Sequence, residues 1–399
     1  MQQLHLRKEM EREGMRIRSI QVSNFKSLVG FNIKLAKFSC LIGLNGVGKS
    51  TVLQFIDFLA QLVRGDMKGW LEERRWQPKD VSSRVNFSPN IDIRVQFNDA
   101  KEQHAGRWWA KYKPGENRCI WEQIDMLDFR LEVRNEEVRI TKVDSKAEDW
   151  KTSITFNYEG SILSSLKESL LPPSITRLKE FFVASESLDM LTPERLRQKT
   201  RNANGTLGHG GRNLSAFLYD LGKEGQSELT EKLEQVYPRL RKIHVKALRS
   251  GWKELHALEK FGDRKLWTEA RHMNDGLLRL LAILSEIASS HTLVLFDEIE
   301  NGINPEVVEF VIDVLVRAKQ QVLVTTHSPM ILNFLEDETA RNGVVYLYKT
   351  PEGYTQAIPF FSIPSLKKKL TVMGPGEAFV DTNLSELPEE IAEMAKEEE

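Results

Sequence analysis

The chain has 399 residues, enough for two or three structural units, and with 41% hydrophobic residues it can build a large core. Its 56 basic residues balance 57 acidic ones for a net charge of −1, which excludes a generally polybasic binder of nucleic acid or membrane surfaces and confines any nucleic-acid contact to a local patch. Two distant cysteines, Cys40 and Cys119, exclude a disulfide framework and a cysteine zinc site. The polar, acidic N-terminus and the lack of a long apolar run point to a soluble, cytoplasmic protein that is not exported.

After a charged segment, Lys8 to Glu13, alternation in Met15-Arg-Ile-Arg-Ser-Ile-Gln-Val predicts a strand. The apolar run Phe38 to Ile42 then enters a glycine-rich turn. Thr51 to Val63 follows with helical spacing of Val52, Phe55, Ile56, Leu59 and Leu62. Alternating runs between turn signals from about Asn90 to Tyr158 predict an antiparallel β lobe, in which the adjacent Trp108 and Trp109 must face opposite sides. Residues from Ser161 to Tyr237 read as a helical insertion, broken by Pro172-Pro173 and a glycine-rich loop. Next come short strands around Ile243 to Leu258, a helix from Gly276 to Ala288, a buried strand from Thr292 to Phe296, a helix from Glu306 to Ala318 and a strand from Gln321 to Thr325. That alternation indicates a parallel α/β sheet. No internal repeat and no long heptad pattern is present.

Gly43-Leu-Asn-Gly-Val-Gly-Lys-Ser fits the phosphate-loop pattern and lies between a strand and a helix, the context that pattern requires. Glycines let main-chain amides turn toward phosphate oxygens and the helix N-terminus adds its dipole. Lys49 then neutralises the β and γ phosphates, and Ser50 supplies an oxygen to magnesium. Asn45, Gly46, Gly48 and Thr51 complete the loop, which makes ATP with magnesium the expected ligand. Leu293-Val-Leu-Phe-Asp-Glu is a hydrophobic strand ending in two carboxylates at the sheet edge where ligands bind. Asp297 is expected to hold magnesium through water, and Glu298 to orient or deprotonate the attacking water. Val322-Leu-Val-Thr-Thr-His-Ser-Pro places His327 at the end of the next strand, within reach of a γ phosphate.

This set resembles the nucleotide motifs of ABC-type ATPases. Asn24-Phe-Lys-Ser-Leu, just before the phosphate-loop strand, resembles the opening of the RecF, SMC and OLD branch. Met273-Asn-Asp-Gly-Leu-Leu-Arg-Leu-Leu is similar to that branch's Ser-Asp-Gly signature, with Gly276 in place and Asn274 where serine is usual. Asp297-Glu-Ile-Glu-Asn-Gly-Ile-Asn-Pro is similar to its carboxylate stretch and puts Asn304 at the D-loop position. Asn274-Asp275-Gly276 also reads as a simple N-cap, and a helix N-terminus can serve both ends. Without the serine, the contact across a dimer must come from an amide, so hydrolysis is expected to be modest. The resemblance offers Lys26 as a phosphate contact beside the alternative of a solvated lysine, and Gln96, read at a strand end, as the metal-contacting glutamine.

The resemblance implies an α/β fold: an ABC-type ATPase head with a mixed parallel sheet, an antiparallel β lobe and a helical insertion, without a long coiled coil. The expected divisions are 15–160 with the phosphate loop and β lobe, 161–270 as helical insertion and connecting strands, 271–350 with signature, carboxylates and switch histidine, and a tail at 351–399. It further implies a homodimer closed around ATP and a separately encoded effector protein in anti-phage defence. DNA repair and a slow ATP-bound scaffold are the alternatives, and no membrane partner is implied. A transporter subunit fits less well, because Lys49 and Gly276 lie about 225 residues apart. Tyr237 to Lys253 mixes basic and aromatic residues on a predicted strand, which suits either a nucleic-acid contact or an ordinary wet face. In the tail, Leu370, Val372, Met373, Phe379, Val380 and Leu384 are too apolar for solvent and are expected to pack on the ATPase's own surface or on a partner, a partner or dimer contact being the reading taken, while residues from about Pro388 onward read as solvated and disordered.

Overall fold

The computed structural model describes residues 14–143, 150–188 and 191–397, so the charged segment at 8–13 lies outside the described residues. The chain divides into two compact units, one formed by Met1–Ser185, Glu338–Met373 and Asp381–Glu399, the other by Glu186–Asp337 and Gly374–Val380.

The first unit opens with β1 (Arg16–Ser23), β2 (Phe31–Lys34) and β3 (Phe38–Ile42), followed by α1 (Lys49–Arg64) and α2 (Met67–Glu73). The antiparallel lobe follows as β4 (Ile91–Asn98), β5 (His104–Lys113), β6 (Arg118–Met126), β7 (Phe129–Arg134), β8 (Glu137–Lys142) and β9 (Trp150–Ser153), and then α3 (Pro173–Val183). The lobe strands join β1 and β2 in one eight-stranded sheet of order β2-β1-β4-β5-β6-β7-β8-β9, antiparallel throughout. Alternation sorts its two faces: Trp108 is fully buried beside Phe182, whereas Trp109 turns outward beneath the Arg107 guanidinium, 4.5 Å from the ring centre. Helix α1 is buried on most sides, as its apolar sequence requires, and packs on α3.

The second unit begins at β10 (Ser185–Leu188). It continues through α4 (Pro193–Leu196), α5 (Leu214–Asp220) and α6 (Gly222–Glu234) to a small antiparallel sheet of β11 (Leu240–Ala247), β12 (Lys253–Phe261) and β13 (Arg264–Glu269). The α/β part then runs α7 (Asp275–Ile287), β14 (Leu293–Phe296), α8 (Pro305–Arg317), β15 (Gln321–Thr325) and α9 (Pro329–Asn333). β14 and β15 are parallel, Leu293 opposite Gln321 and Phe296 opposite Val324, and every residue of both is buried. They read as continuous apolar runs because both faces are covered.

After α10 (Asp337–Gly343), the chain adds β16 (Val344–Lys349) parallel to β3, and β17 (Thr355–Pro359) antiparallel to β16. The tail forms α11 (Pro364–Lys369), α12 (Pro375–Val380) and α13 (Leu387–Glu397), and here the structure corrects the sequence reading. Of its six named apolar groups Leu370 is buried against the chain itself, Met373, Phe379 and Leu384 are half-buried, and Val372 and Val380 are exposed, while α12 buries Pro375, Gly376 and Ala378 and packs on α9. Residues 387–397 are helical rather than disordered. Leu387 and Ile391 fall on one face and are buried, and the Glu390 carboxylate accepts from Ser365 N at 2.9 Å and Ser365 Oγ at 2.7 Å. Among the described residues, no helix is long and apolar enough to cross a membrane.

Candidate functional site

The phosphate loop runs from the end of β3 into α1. Gly43, Gly46 and Gly48 have φ of 145°, 77° and 113°. A side chain at Gly43 would collide with the Leu347 carbonyl, and one at Gly48 would come within 2.5 Å of Thr355 Oγ1, so these two positions require glycine for space as well as for backbone angle. Gly48 is the N-cap of α1 and offers no side-chain acceptor, and the first turn of the helix holds no acidic residue. The first turn is thus left without a side-chain cap or an acidic neighbour, the condition under which a helix N-terminus accepts an anion. Lys49 is buried, and its Nζ donates to Gly43 O at 2.9 Å and Leu44 O at 3.1 Å, so the ammonium is folded back over the loop. Ser50 and Thr51 follow in the first turn, and Asn45 is exposed at the tip.

Thr355, remote in sequence, braces this loop from beneath. Fully buried, it donates through Oγ1 to Val47 O at 2.7 Å, shares a hydrogen bond with Ser27 Oγ at 2.8 Å and receives one from Lys349 Nζ at 3.0 Å. The Asn24-Phe-Lys-Ser turn is thereby tied to the phosphate loop. Within that turn Lys26 has φ of 47°, donates to Gln54 Oε1 at 2.8 Å and sits 3.3 Å over the Trp76 ring centre. Gln96 lies inside β4 rather than at a strand end, exposed, with Ser19 and Arg107 as its cross-strand neighbours. Neither neighbour belongs to the phosphate loop.

In the second unit the parallel register of β14 and β15 sets Asp297 beside Thr325. Thr325 Oγ1 donates to Asp297 Oδ1 at 2.5 Å and accepts from Glu298 N at 2.8 Å, so one hydroxyl fixes both acidic residues. Glu298 takes a left-handed conformation, φ 47°, which turns its carboxylate into solvent, where Asn301 Nδ2 donates to it at 3.3 Å. His327 is exposed two residues beyond β15, and its backbone N donates to Glu300 Oε1 at 2.8 Å. Asn274 caps α7, its Oδ1 accepting from Leu277 N at 2.8 Å, while Arg197 holds Asp275 in an ion pair and donates to Met273 O at 2.9 Å. Gly276 packs close to the turn before Asn304: a Cβ there would lie 3.2 Å from Gly302 O. Asn304 caps α8 by accepting from Glu306 N at 3.3 Å. Beneath that turn, Arg279 Nε is buried without a hydrogen-bond partner among the described residues. Burial lowers the affinity of its guanidinium for a proton, and the nearby Asp275, Glu298 and Glu194 carboxylates oppose that effect.

Three residues that brace these motifs were not singled out by sequence: Thr355 at the phosphate loop, and Thr325 and Glu300 at the carboxylates and His327. None has a local signature, because each acts through a partner brought near by the fold.

This arrangement is the fold of an ABC-type P-loop ATPase head of the SMC and RecF branch. An SMC head bound to the C-winged helix domain of ScpA aligns over 89% of this chain and 99% of its own, at 14% identity and a TM-score of 0.50. The SMC head domain with a coiled coil and joint from Pyrococcus yayanosii aligns over 90% and 99%, at 11% identity and a TM-score of 0.50. No curated protein matches the chain significantly in sequence. Residues 38–333 match the family described as "AAA domain, putative AbiEii toxin, Type IV TA system", and the chain belongs to that family.

Proposed function

We propose that the protein is an ATP-hydrolysing switch, in which two copies close around nucleotide and separate after hydrolysis. The observation that carries this reading is the phosphate loop: left-handed glycines, an uncapped and acid-free helix N-terminus, and a buried lysine folded over the loop carbonyls. In this reading the amides from Asn45 to Thr51 bind the phosphates, and Lys49 leaves its carbonyl partners to meet the β and γ oxygens. Lys26 contributes from the braced turn. Glu298 orients the attacking water and takes its proton as the bond to the γ phosphorus forms and ADP leaves, and His327 contacts the γ phosphate. The Ser50 hydroxyl and the Asp297 carboxylate are hard oxygen donors of the kind magnesium takes, and Thr325 holds Asp297 in place for it. Magnesium, when bound, neutralises charge on the β and γ phosphates. Gln96, flanked by Ser19 and Arg107, is left out of that donor set.

A second reading, a slow switch that stays ATP-bound to hold a partner, is favoured by Asn274. Its side-chain oxygen is committed to capping α7, so the contact to the partner copy's γ phosphate falls to the amides around Gly276. In this reading the switch acts in the cytoplasm and serves anti-phage defence with a separately encoded effector, with DNA repair as the alternative. Glu298→Gln tests both readings. It keeps ATP and magnesium but removes the base, so sedimentation with ATP should show a dimer that persists, and phosphate release should fall by about 100-fold or more. Wild-type turnover in this variant removes Glu298 from the mechanism. A monomer at saturating ATP removes the dimer.

A further inference from the structure

The sheet β11-β12-β13 covers one face along β11 and the start of β12 and leaves the other bare. Ile243 pairs with Ala257 and Val245 with Leu255, all buried, on the side that meets α5 and α6. On the opposite side Lys242, Leu258 and Trp267 form one row across the three strands, and Lys260 pairs with Lys265 in the row beside it. Trp267 is 50% exposed, a large apolar surface for an edge strand to leave in water. Its ring is fixed edge-on by His244 and His256, at centroid distances of 6.2 and 6.4 Å.

The charge on this face is one-sided. Its two acids are already paired, Glu254 with Lys199 and in hydrogen-bond contact with His256 Nε2 at 3.0 Å, and Glu269 with Arg271 at 2.8 Å. Lys242, Lys246, Lys260 and Lys265 form no ion pair among the described residues. The field reaches His244, whose affinity for a proton is lowered by burial and then by Lys242, His256, Lys223 and Lys246. An upright, exposed indole among unpaired lysines suits a polyanion that also carries flat apolar rings. With the rows of His244, His256 and Glu269 and of Lys246 and Glu254, this face spans about 20 Å along β12 from Glu254 to Lys260, room for a short run of nucleotides.

We infer that this face binds single-stranded nucleic acid, with a base stacked on Trp267 and the lysines on the flanking phosphates. A duplex keeps its base faces stacked on each other and cannot use the indole, so the single strand is the form that fits. The test is fluorescence anisotropy of the full chain with labelled oligo(dT), oligo(U) and a hairpin duplex. Both single strands, or whichever matches in its sugar, should bind more tightly than the duplex, and the tighter of the two identifies the sugar. Trp267→Ala should weaken binding by about tenfold or more, and Trp267→Phe should restore most of it. Replacing Lys242, Lys246 and Lys265 together by Ala should flatten the salt dependence by about two units of the log–log slope. ATP binding should be unchanged in every variant, which confirms their fold. Absence of binding, a Trp267→Ala variant as tight as wild type, or a duplex bound as tightly as the single strands would each overturn the inference.

Discussion

Lys49 spends its charge on two main-chain carbonyls of its own loop, so its removal leaves the hydrophobic core untouched. Lys49→Ala should fold as wild type yet bind ATP on the order of 10- to 100-fold more weakly, the worth of a charge-assisted contact to phosphate. Isothermal titration checks this, and full affinity in the folded variant would remove the phosphate-loop assignment. At this scale the sequence was legible wherever chemistry is written in consecutive residues. Gly43 to Ser50 and Leu293 to Glu298 carry their glycines, lysine and carboxylates in one short run, and the structure sets them at the end of β3 and of β14. Thr325 was illegible for the opposite reason. A threonine in a buried strand is ordinary, and only the register of β15 against β14 puts its hydroxyl on Asp297. Thr355 is the extreme case, bonded to Val47 across 308 positions of the chain. Gln96 was read at a strand end, and β4 runs two residues past it to Asn98.

Among the elements, those with unmistakable periodicity matched closely, as α1, α7, α8, β3 and β15 show. How the lobe is fastened to the chain that follows it was hidden. Glu122 on β6 is fully buried and accepts three hydrogen bonds, from Ile162 N at 2.7 Å, Ser161 Oγ at 2.6 Å and Trp108 Nε1 at 3.2 Å, so it staples β6 to the segment leading into α3. Burial outweighs these donors and raises its pKa to about 7. Because the folded value lies above the unfolded one, the native state holds a proton that the unfolded chain releases. Stability from this group is therefore complete below the unfolded value of about 4.5 and declines as pH rises to about 7, by up to roughly 3 kcal/mol across that window. Urea melts between those limits should show the decline in wild type. Glu122→Gln, which cannot ionise, should lack it, and an identical slope in both proteins would place the pH dependence elsewhere.

For the molecule as a whole, the tail decides how the chain's last 30 residues contribute. Read from composition, they divide into an apolar patch for a partner and an acidic end for solvent. The structure turns part of each inward: Leu370, Ala378, Leu387 and Ile391 are buried, Tyr346 Oη donates to Leu384 O at 2.6 Å, and Lys369 pairs with Asp381 at 3.1 Å. Composition misled because Glu389 and Glu393 lie on the outer side of α13 while Glu390 is held by Ser365 and the leucine and isoleucine, four positions apart, share the inner side. Val372 and Val380 stay exposed, at 80% and 68%, and are what the tail has left for another protein. Each buried leucine or isoleucine contributes about 1.5–3 kcal/mol. Ending the chain at Lys369 should therefore lower the melting temperature by on the order of 10 °C, at about 2–4 °C per kcal/mol for units of this size. Differential scanning calorimetry measures this directly. A tail that served only a partner would leave the isolated protein's melting temperature where it was, so an unchanged value would return residues 370–397 to the solvated, partner-seeking role that their composition suggests.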